Sequence, residues 1–482
     1  MTHPPLRIVS DMAERLAAAR VTYCHWKSNE SLDEAVAGKH DLDLLFDRSD
    51  MTIVGSILHD LGFRVARPTP DRQLPGILDY YGLDAGSGIV VHVHAHTQLA
   101  LGDDMTKNFR LPIERAYLES ASRDGVIPVP SVELEYLVFV IRMVLKHCTW
   151  DAQLARRSKL ALSERREKSD LEDRVDLVEV DRLRELLLPL VSDRLFEASR
   201  RAISGAARPM RVITAERLIT ALDSLGRRDR LTDLGLRLWR RQYRKRLGRT
   251  GSKKRLDGGG LLIAVVGGDG AGKSTTVEAV GNHLSKDLAT TTIHLGKPPW
   301  SRLSRLVKRP MRKARTFGAF GSTRLPPWTD FDELGFPGYG YLMWHTLIAR
   351  DRFLEYRRAR RAAHSGELVV CDRYPLDAIR MMDGRRLSGL PGVDTRSVAR
   401  LFRRLEDRYY AKIRPPDLLL VMRTSPEVAI RRRTEDPELF VRTRNEEILA
   451  VDWSGLPASV VDATQSLDEV QRQVRSAVWA ML

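Results

Sequence analysis

Helical and strand-like periodicities follow one another along the chain in an order that divides it into three stretches. Over 1–135 the two are mixed. Residues 9–20 repeat apolar positions at helical spacing. The apolar run 42–46 and the alternating run 88–98 predict strands, the second following a segment rich in Pro, Asp and Gly. This is the pattern of one small α+β unit. Over 136–255 charged and apolar residues recur at helical spacing, as in 171–190, which predicts a connector of packed amphipathic helices. It closes on a basic helix over 231–247, with Leu234, Leu238 and Trp239 on one side, and on a linker that runs into Gly258, Gly259 and Gly260. Over 256–482 buried-strand runs at 261–266, 290–294, 367–371, 417–422 and 459–461 alternate with helical patterns. That order predicts an α/β fold with a doubly wound parallel sheet, whose ligands sit at the carboxyl ends of the strands.

Composition narrows the class. Hydrophobic residues make up 43% of the 482 and charged residues 29%, which is globular rather than disordered. No run is long and apolar enough to span a bilayer, and the first residues lack an apolar signal core. Cys24, Cys148 and Cys371 lie too far apart for a CxxC metal site and are odd in number, so a reducing cytoplasm is expected. The formal charge of +16 is concentrated. Residues 226–255 carry thirteen Lys/Arg against Asp229 and Asp233, and 301–315 carry seven with no acid, leaving the rest of the chain close to neutral. Two such windows attract a polyanion, or are solvated linkers.

The sharpest chemical signal is GGDGAGKST (267–275), which satisfies GxxxxGK[ST] directly after a predicted strand and directly before a predicted helix. Gly267, Gly268, Asp269, Gly270, Ala271 and Gly272 would let backbone N–H groups curl around phosphates at a helix N-terminus. Lys273 is expected to reach the β- and γ-phosphates. Ser274, with Thr275 behind it, would offer a hydroxyl to Mg²⁺.

Three further blocks, HSGELVVCDRY (364–374), PPDLLLVMRTSPEVAIRRR (415–433) and VVDATQSLDEV (460–470), follow that loop in order. Together the four blocks resemble the thymidylate kinase family of nucleoside monophosphate kinases, over about 256–482. The resemblance implies MgATP as phosphoryl donor and a nucleoside monophosphate, dTMP, as the nearest acceptor. It implies Asp372 as a metal-holding carboxylate, Arg373 and Arg352 as ligands of the acceptor phosphate, and Asp269 as a contact to an acceptor sugar hydroxyl. Arg431, Arg432 and Arg433 stand where the family has its mobile lid. Since Gly270 fills the position of a loop arginine in some members, one of the three would supply the transition-state cation; Arg442 and Arg444 stand behind them. The family's Arg-Glu-Pro-Gly segment is replaced by HLGKPPW (294–300), and the Ser-rich helix with its Tyr-Gln pair by PLDAIRMMD (375–383). These departures bear on the acceptor and leave open a phosphorylated sugar of an activated-sugar pathway.

In the first stretch GKHDLDLLF (38–46), with HWKSN (25–29) upstream, resembles the start of a nucleotidyltransferase site, in which Asp-x-Asp holds two Mg²⁺. Period-two geometry puts Asp41 and Asp43 on one strand face. In VVHVHAHTQ (90–98) His94 stands where that fold carries a third carboxylate. His92, His94 and His96 share a face, either as metal ligands or as a polar strand surface.

The expectation is a two-part cytoplasmic enzyme, with a nucleotidyltransferase-like α+β domain, a helical connector and a P-loop kinase using ATP and Mg²⁺. A homodimer is within what the pattern allows. Two other classes fit: a nucleic-acid-binding ATPase or end kinase whose basic windows track phosphates, and a nucleotide-binding sensor without turnover.

Overall fold

A computed structural model describes residues 4–122, 124–155, 157–247, 253–307, 335–379, 384–433 and 436–482. Two compact units divide the chain, Met1–Lys254 and Arg255–Leu482.

The first unit is built on a mixed sheet. Its strands are β1 (Tyr23–His25), β2 (Leu42–Phe46), β3 (Arg64–Arg67), β4 (Ile77–Asp84) and β5 (Ile89–His96), in the order β1-β2-β5-β4-β3. Only the β2–β5 pairing within it is parallel. A two-stranded ribbon, β6 (Leu99–Leu101) and β7 (Phe109–Leu111), follows. The segment before 88 read as a loop contains β3 and the eight-residue β4. The residues read as a separate connector, up to Lys254, belong to this unit. Their organiser is the Val132–His147 helix, which is apolar nearly all round and therefore buried along most of its length. Its Tyr136, Phe139 and Val140 share one core with Trp26 and Leu45 of the strand region and with Phe196 and Leu218 of later helices. The helical run 171–190 is two helices, Leu162–Arg174 and Leu177–Leu187. Val175 leaves helical geometry at ψ 138°, and the Asp176 carboxylate caps the new start by accepting from Val178 N at 2.9 Å.

The second unit is a five-stranded, all-parallel sheet: β8 (Leu262–Gly267), β9 (Thr290–His294), β10 (Leu368–Asp372), β11 (Leu418–Arg423) and β12 (Ala458–Asp462), in the order β9-β10-β8-β11-β12. Every residue of β8 is buried, because helices cover both faces. On one face Leu262, Ala264 and Val266 pack with Tyr356, Ala359 and Ala363 of the Tyr339–His364 helix and with Ile448. On the other lies the Lys273–Leu284 helix, whose Thr276 hydroxyl approaches the Met422 sulfur at 4.0 Å. The order reverses at β8, between β10 and β11, so the crevice beyond the carboxyl end of β8 is where such a sheet receives a ligand.

Candidate functional site

That crevice is a cavity of about 440 Å³ lined by residues 269–276 and by Arg373, Arg432, Arg433 and Gln465. β8 ends at Gly267 and the Lys273–Leu284 helix starts six residues later, with Gly270 (φ 81°) and Gly272 (φ 79°) turning the chain through left-handed backbone. Gly268 is required for a different reason. A Cβ there would lie 2.0 Å from Oδ1 of Asn445, whose amide donates to Asp269 O at 3.1 Å and Val441 O at 2.8 Å and so ties the loop to the Glu438–Ala450 helix. Gly268→Ala should therefore unseat Asn445. We expect a stability loss of about 1–3 kcal/mol in urea unfolding and a weaker nucleotide affinity by calorimetry.

Charge is what distinguishes the cavity. The buried Asp269 carboxylate accepts from Arg444 Nη1 at 2.6 Å through Oδ2, while Lys273 Nζ and Arg373 Nη2 stand 3.8 and 4.0 Å from Oδ1. Three cations around one carboxylate leave a surplus of positive charge, in a turn whose N–H groups open a helix. Lys273 donates to Gly268 O at 2.5 Å. Burial pushes its pKa down to about 8; Asp269 opposes this, and Arg373 and Arg444 add to it.

Of the other predicted residues, Arg373, Arg432 and Arg433 line this cavity, whereas Arg352 and Arg431 do not. Asp372 ends β10 beside Val265, and its Oδ1 is buried with no hydrogen-bond partner among the described residues. Arg373 follows in left-handed backbone, φ 63°, with its N–H on Val265 O at 3.2 Å. A non-glycine residue held there carries strain of about 1–3 kcal/mol and projects its side chain into the cavity lining. Of the arginine triplet, Arg432 reaches Gly270 O at 3.4 Å and Ala463 O at 3.2 Å, bridging the loop to the end of β12. Arg433 lines the cavity and lies 4.0 Å from Asp436, whereas Arg431 folds back onto Glu427 O of its own helix. Ser274 and Thr275 line the cavity. Arg352 lies outside its lining: Nε and Nη2 donate to the carbonyls of Leu295 and Gly296 at 2.9 and 3.1 Å, and Nη1 to the Tyr410 hydroxyl at 2.6 Å. It thus holds the chain after β9 in place. Arg444 and Asn445 are the residues that sequence reasoning underrated or missed.

In the first unit, register aligns Asp43 of β2, His94 of β5 and Asp79 of β4 in one row across three strands. Asp79 is a third carboxylate that the sequence reading did not find. Its Oδ1 lies 2.9 Å from His92 Nε2, 2.8 Å from Lys254 Nζ and 3.7 Å from His94 Nε2. Asp43 Oδ1 lies 2.9 Å from Lys27 Nζ, 3.0 Å from His94 Nδ1 and 3.6 Å from His96 Nε2. Asp41 turns away to His92 Nδ1 at 2.9 Å. Burial works against charge on His92, but its hydrogen bonds to Asp41 and Asp79 outweigh that and raise its pKa; burial lowers those of His94 and His96. Asp41 and Asp43 thus engage separate partners, and a lysine and two imidazoles crowd the second. This donor set does not suit the pair of oxygen-ligated Mg²⁺ ions that the Asp-x-Asp resemblance implied.

The first basic window is partly turned inward. Arg237 and Arg241 pair with Asp151 at 2.8 Å, Arg241 also with Asp103 at 2.5 Å, and Arg240 donates to Met105 O at 2.5 Å. In the second window, 308–315 lies outside the described residues. Among the described residues no helix is long and apolar enough to cross a membrane.

Among known proteins, no family model matches the chain. It is similar to the uncharacterized ATP-binding protein YghR of Escherichia coli K12 and to the protein of the same name in Escherichia coli O6:H1. Each is 25% identical over 227 residues, which span 45% of this chain and 86% of the relative.

Proposed function

We propose that the Arg255–Leu482 unit binds ATP at the 267–275 loop and transfers its γ-phosphoryl group to a phosphorylated acceptor, with a nucleoside monophosphate, dTMP, the nearest by resemblance. The observation that carries this reading is the surplus of cations around Asp269 at the mouth of a helix-opening turn. The names of the two Escherichia coli relatives support the ATP half of it. The thymidylate kinase resemblance of 364–374, 415–433 and 460–470 supports the transfer half.

The positions of the side chains support a role for each. The loop N–H groups and the start of the Lys273–Leu284 helix take up phosphate oxygens, and the Lys273 ammonium neutralises charge on the transferring group. Arg432, beside Gly270 O, is the cation that spreads over the transition state, and Arg373 orients the acceptor phosphate for in-line attack. Asp372, whose buried Oδ1 has no hydrogen-bond partner among the described residues, and the Ser274 hydroxyl would hold a Mg²⁺ ion, which would supply positive charge against the β- and γ-phosphates. Specificity for the acceptor rests with HLGKPPW (294–300), which Arg352 positions through the carbonyls of Leu295 and Gly296.

The test is ADP release by the full chain with MgATP across dTMP, other nucleoside monophosphates, sugar phosphates and oligonucleotides. Turnover with dTMP supports the family's substrate, and turnover with another phosphorylated acceptor alone makes 294–300 the specificity determinant. Tight ATP binding with no ADP from any acceptor overturns the transferase reading in favour of a nucleotide sensor.

A pH dependence follows from Lys273. In the empty cavity its ammonium is lost as pH passes about 8, whereas phosphate charge is already complete there. Nucleotide affinity should therefore fall above pH 8, by up to about tenfold per unit, and titration calorimetry from pH 7 to 9.5 checks it. The sign for folding is opposite. The folded chain holds fewer protons than the unfolded one between about 8 and 10.5, so this group's contribution to stability grows as pH rises through that window.

A further inference from the structure

The Asp43, His94 and His96 donors lie within 4.8 Å of one another, and they are the one such group of three His, Cys or acidic residues among the described residues. Their three separations are 3.0 Å (Asp43 Oδ1 to His94 Nδ1), 3.2 Å (His94 Nδ1 to His96 Nε2) and 3.6 Å (His96 Nε2 to Asp43 Oδ1). A tetrahedral ion with bonds of about 2.0–2.1 Å needs donor-to-donor edges of roughly 3.3–3.4 Å. The three atoms thus already outline one face of such a tetrahedron. We infer that this triangle binds a single divalent transition ion of the zinc class through two imidazoles and one carboxylate.

The fold explains why the triangle exists. Alternation along β5 sends the side chains of His94 and His96 to one face of the sheet, and parallel register sets Asp43 of β2 directly beside His94. His96 is fully buried and Trp26 packs edge-on against it, with ring centroids 5.1 Å apart, so its ring has little freedom to turn away. A site fixed by two strands is preorganised, and little ordering cost remains for an entering ion. Nitrogen donors select against Mg²⁺ and Ca²⁺, which take oxygen ligands, and favour zinc and its first-row neighbours. Lys27 does not close the site. Its ammonium uses one lone pair of Oδ1 and leaves another for an ion. Three protein donors leave a tetrahedral ion one open vertex, the arrangement of reactive rather than purely structural zinc sites.

The test uses the full chain without an affinity tag, stripped with chelator and dialysed against Zn²⁺ alone. Wild type should retain one equivalent, and His94→Gln and His96→Gln should each weaken retention by at least about tenfold in competition with a chromogenic chelator. Because His96→Gln changes a fully buried side chain, Co²⁺ spectroscopy of wild type and His94→Gln supplies a second readout. Wild type should show intense ligand-field bands that Zn²⁺ abolishes and Mg²⁺ does not, and His94→Gln should lose them. No retained Zn²⁺ in wild type overturns the site. So does equal retention by both variants, or loss in Glu34→Gln, which would assign binding to the exposed His40–Glu34 pair instead.

Discussion

Replacing Lys273 with alanine is expected to remove ADP formation, by at least about 10²-fold in kcat, while the chain stays folded. The reason is electrostatic and specific to position. Lys273 is buried beside a carboxylate that two arginines already approach, so its charge serves no unmet acid and is available to a phosphate. Alanine also removes the bond to Gly268 O, yet the loop keeps its tie through Asn445. An unchanged melting temperature without nucleotide, together with lost turnover, assigns the effect to catalysis. Lys273→Arg separates charge from shape, since a planar guanidinium keeps the charge but cannot fill the place of a compact ammonium at the base of the turn. Partial recovery of ATP binding without recovery of turnover is the expected outcome. If Lys273→Ala turns over as wild type does, the loop is not the transfer site.

Much of this site was legible because its parts are local. A strand covered on both faces reads as a continuous apolar run, and the glycines, lysine and serine that follow β8 sit within eight residues. The cations that complete the cavity were not legible in the same way. Arg444 and Asn445 meet the loop across 175 and 176 residues, and within their own helix they belong to a polar run that looks like a solvated face. Asp79 was hidden differently. β4 begins directly after Gly76 in a segment punctuated by Pro70 and Pro75, and those breakers masked the aromatic pair Tyr80 and Tyr81 that marks a strand. The helical spacing over 171–190 did not show where one helix ends and the next begins; that break rests on one side chain, Asp176, whose capping bond favours a new start over continuation. The arginine triplet was resolved only by geometry, since adjacent helical residues point in different directions and only Arg432 reaches the loop.

Asp269→Asn should be the most destabilising single change in the cavity, and the one that nucleotide best repairs. The substitution keeps the size of the side chain and removes the charge that compensates buried Arg444, with Lys273 and Arg373 nearby. Breaking a buried ion pair from one side costs about 3–5 kcal/mol, because the remaining charge has lost its partner and cannot reach water. Urea unfolding of the nucleotide-free variant should show that loss. A polyphosphate entering the same cavity restores the missing negative charge, so the rise in melting temperature caused by saturating MgATP should be larger for Asp269→Asn than for wild type. Arg444→Ala supplies the contrast. It leaves the carboxylate to Lys273, removes one of the charges that depress the lysine pKa, and should shift the fall in nucleotide affinity to higher pH. An Asp269→Asn variant as stable as wild type without nucleotide, or one that MgATP stabilises no further than it does wild type, would show that the three cations do not depend on that carboxylate and that the cavity is not organised to exchange it for phosphate.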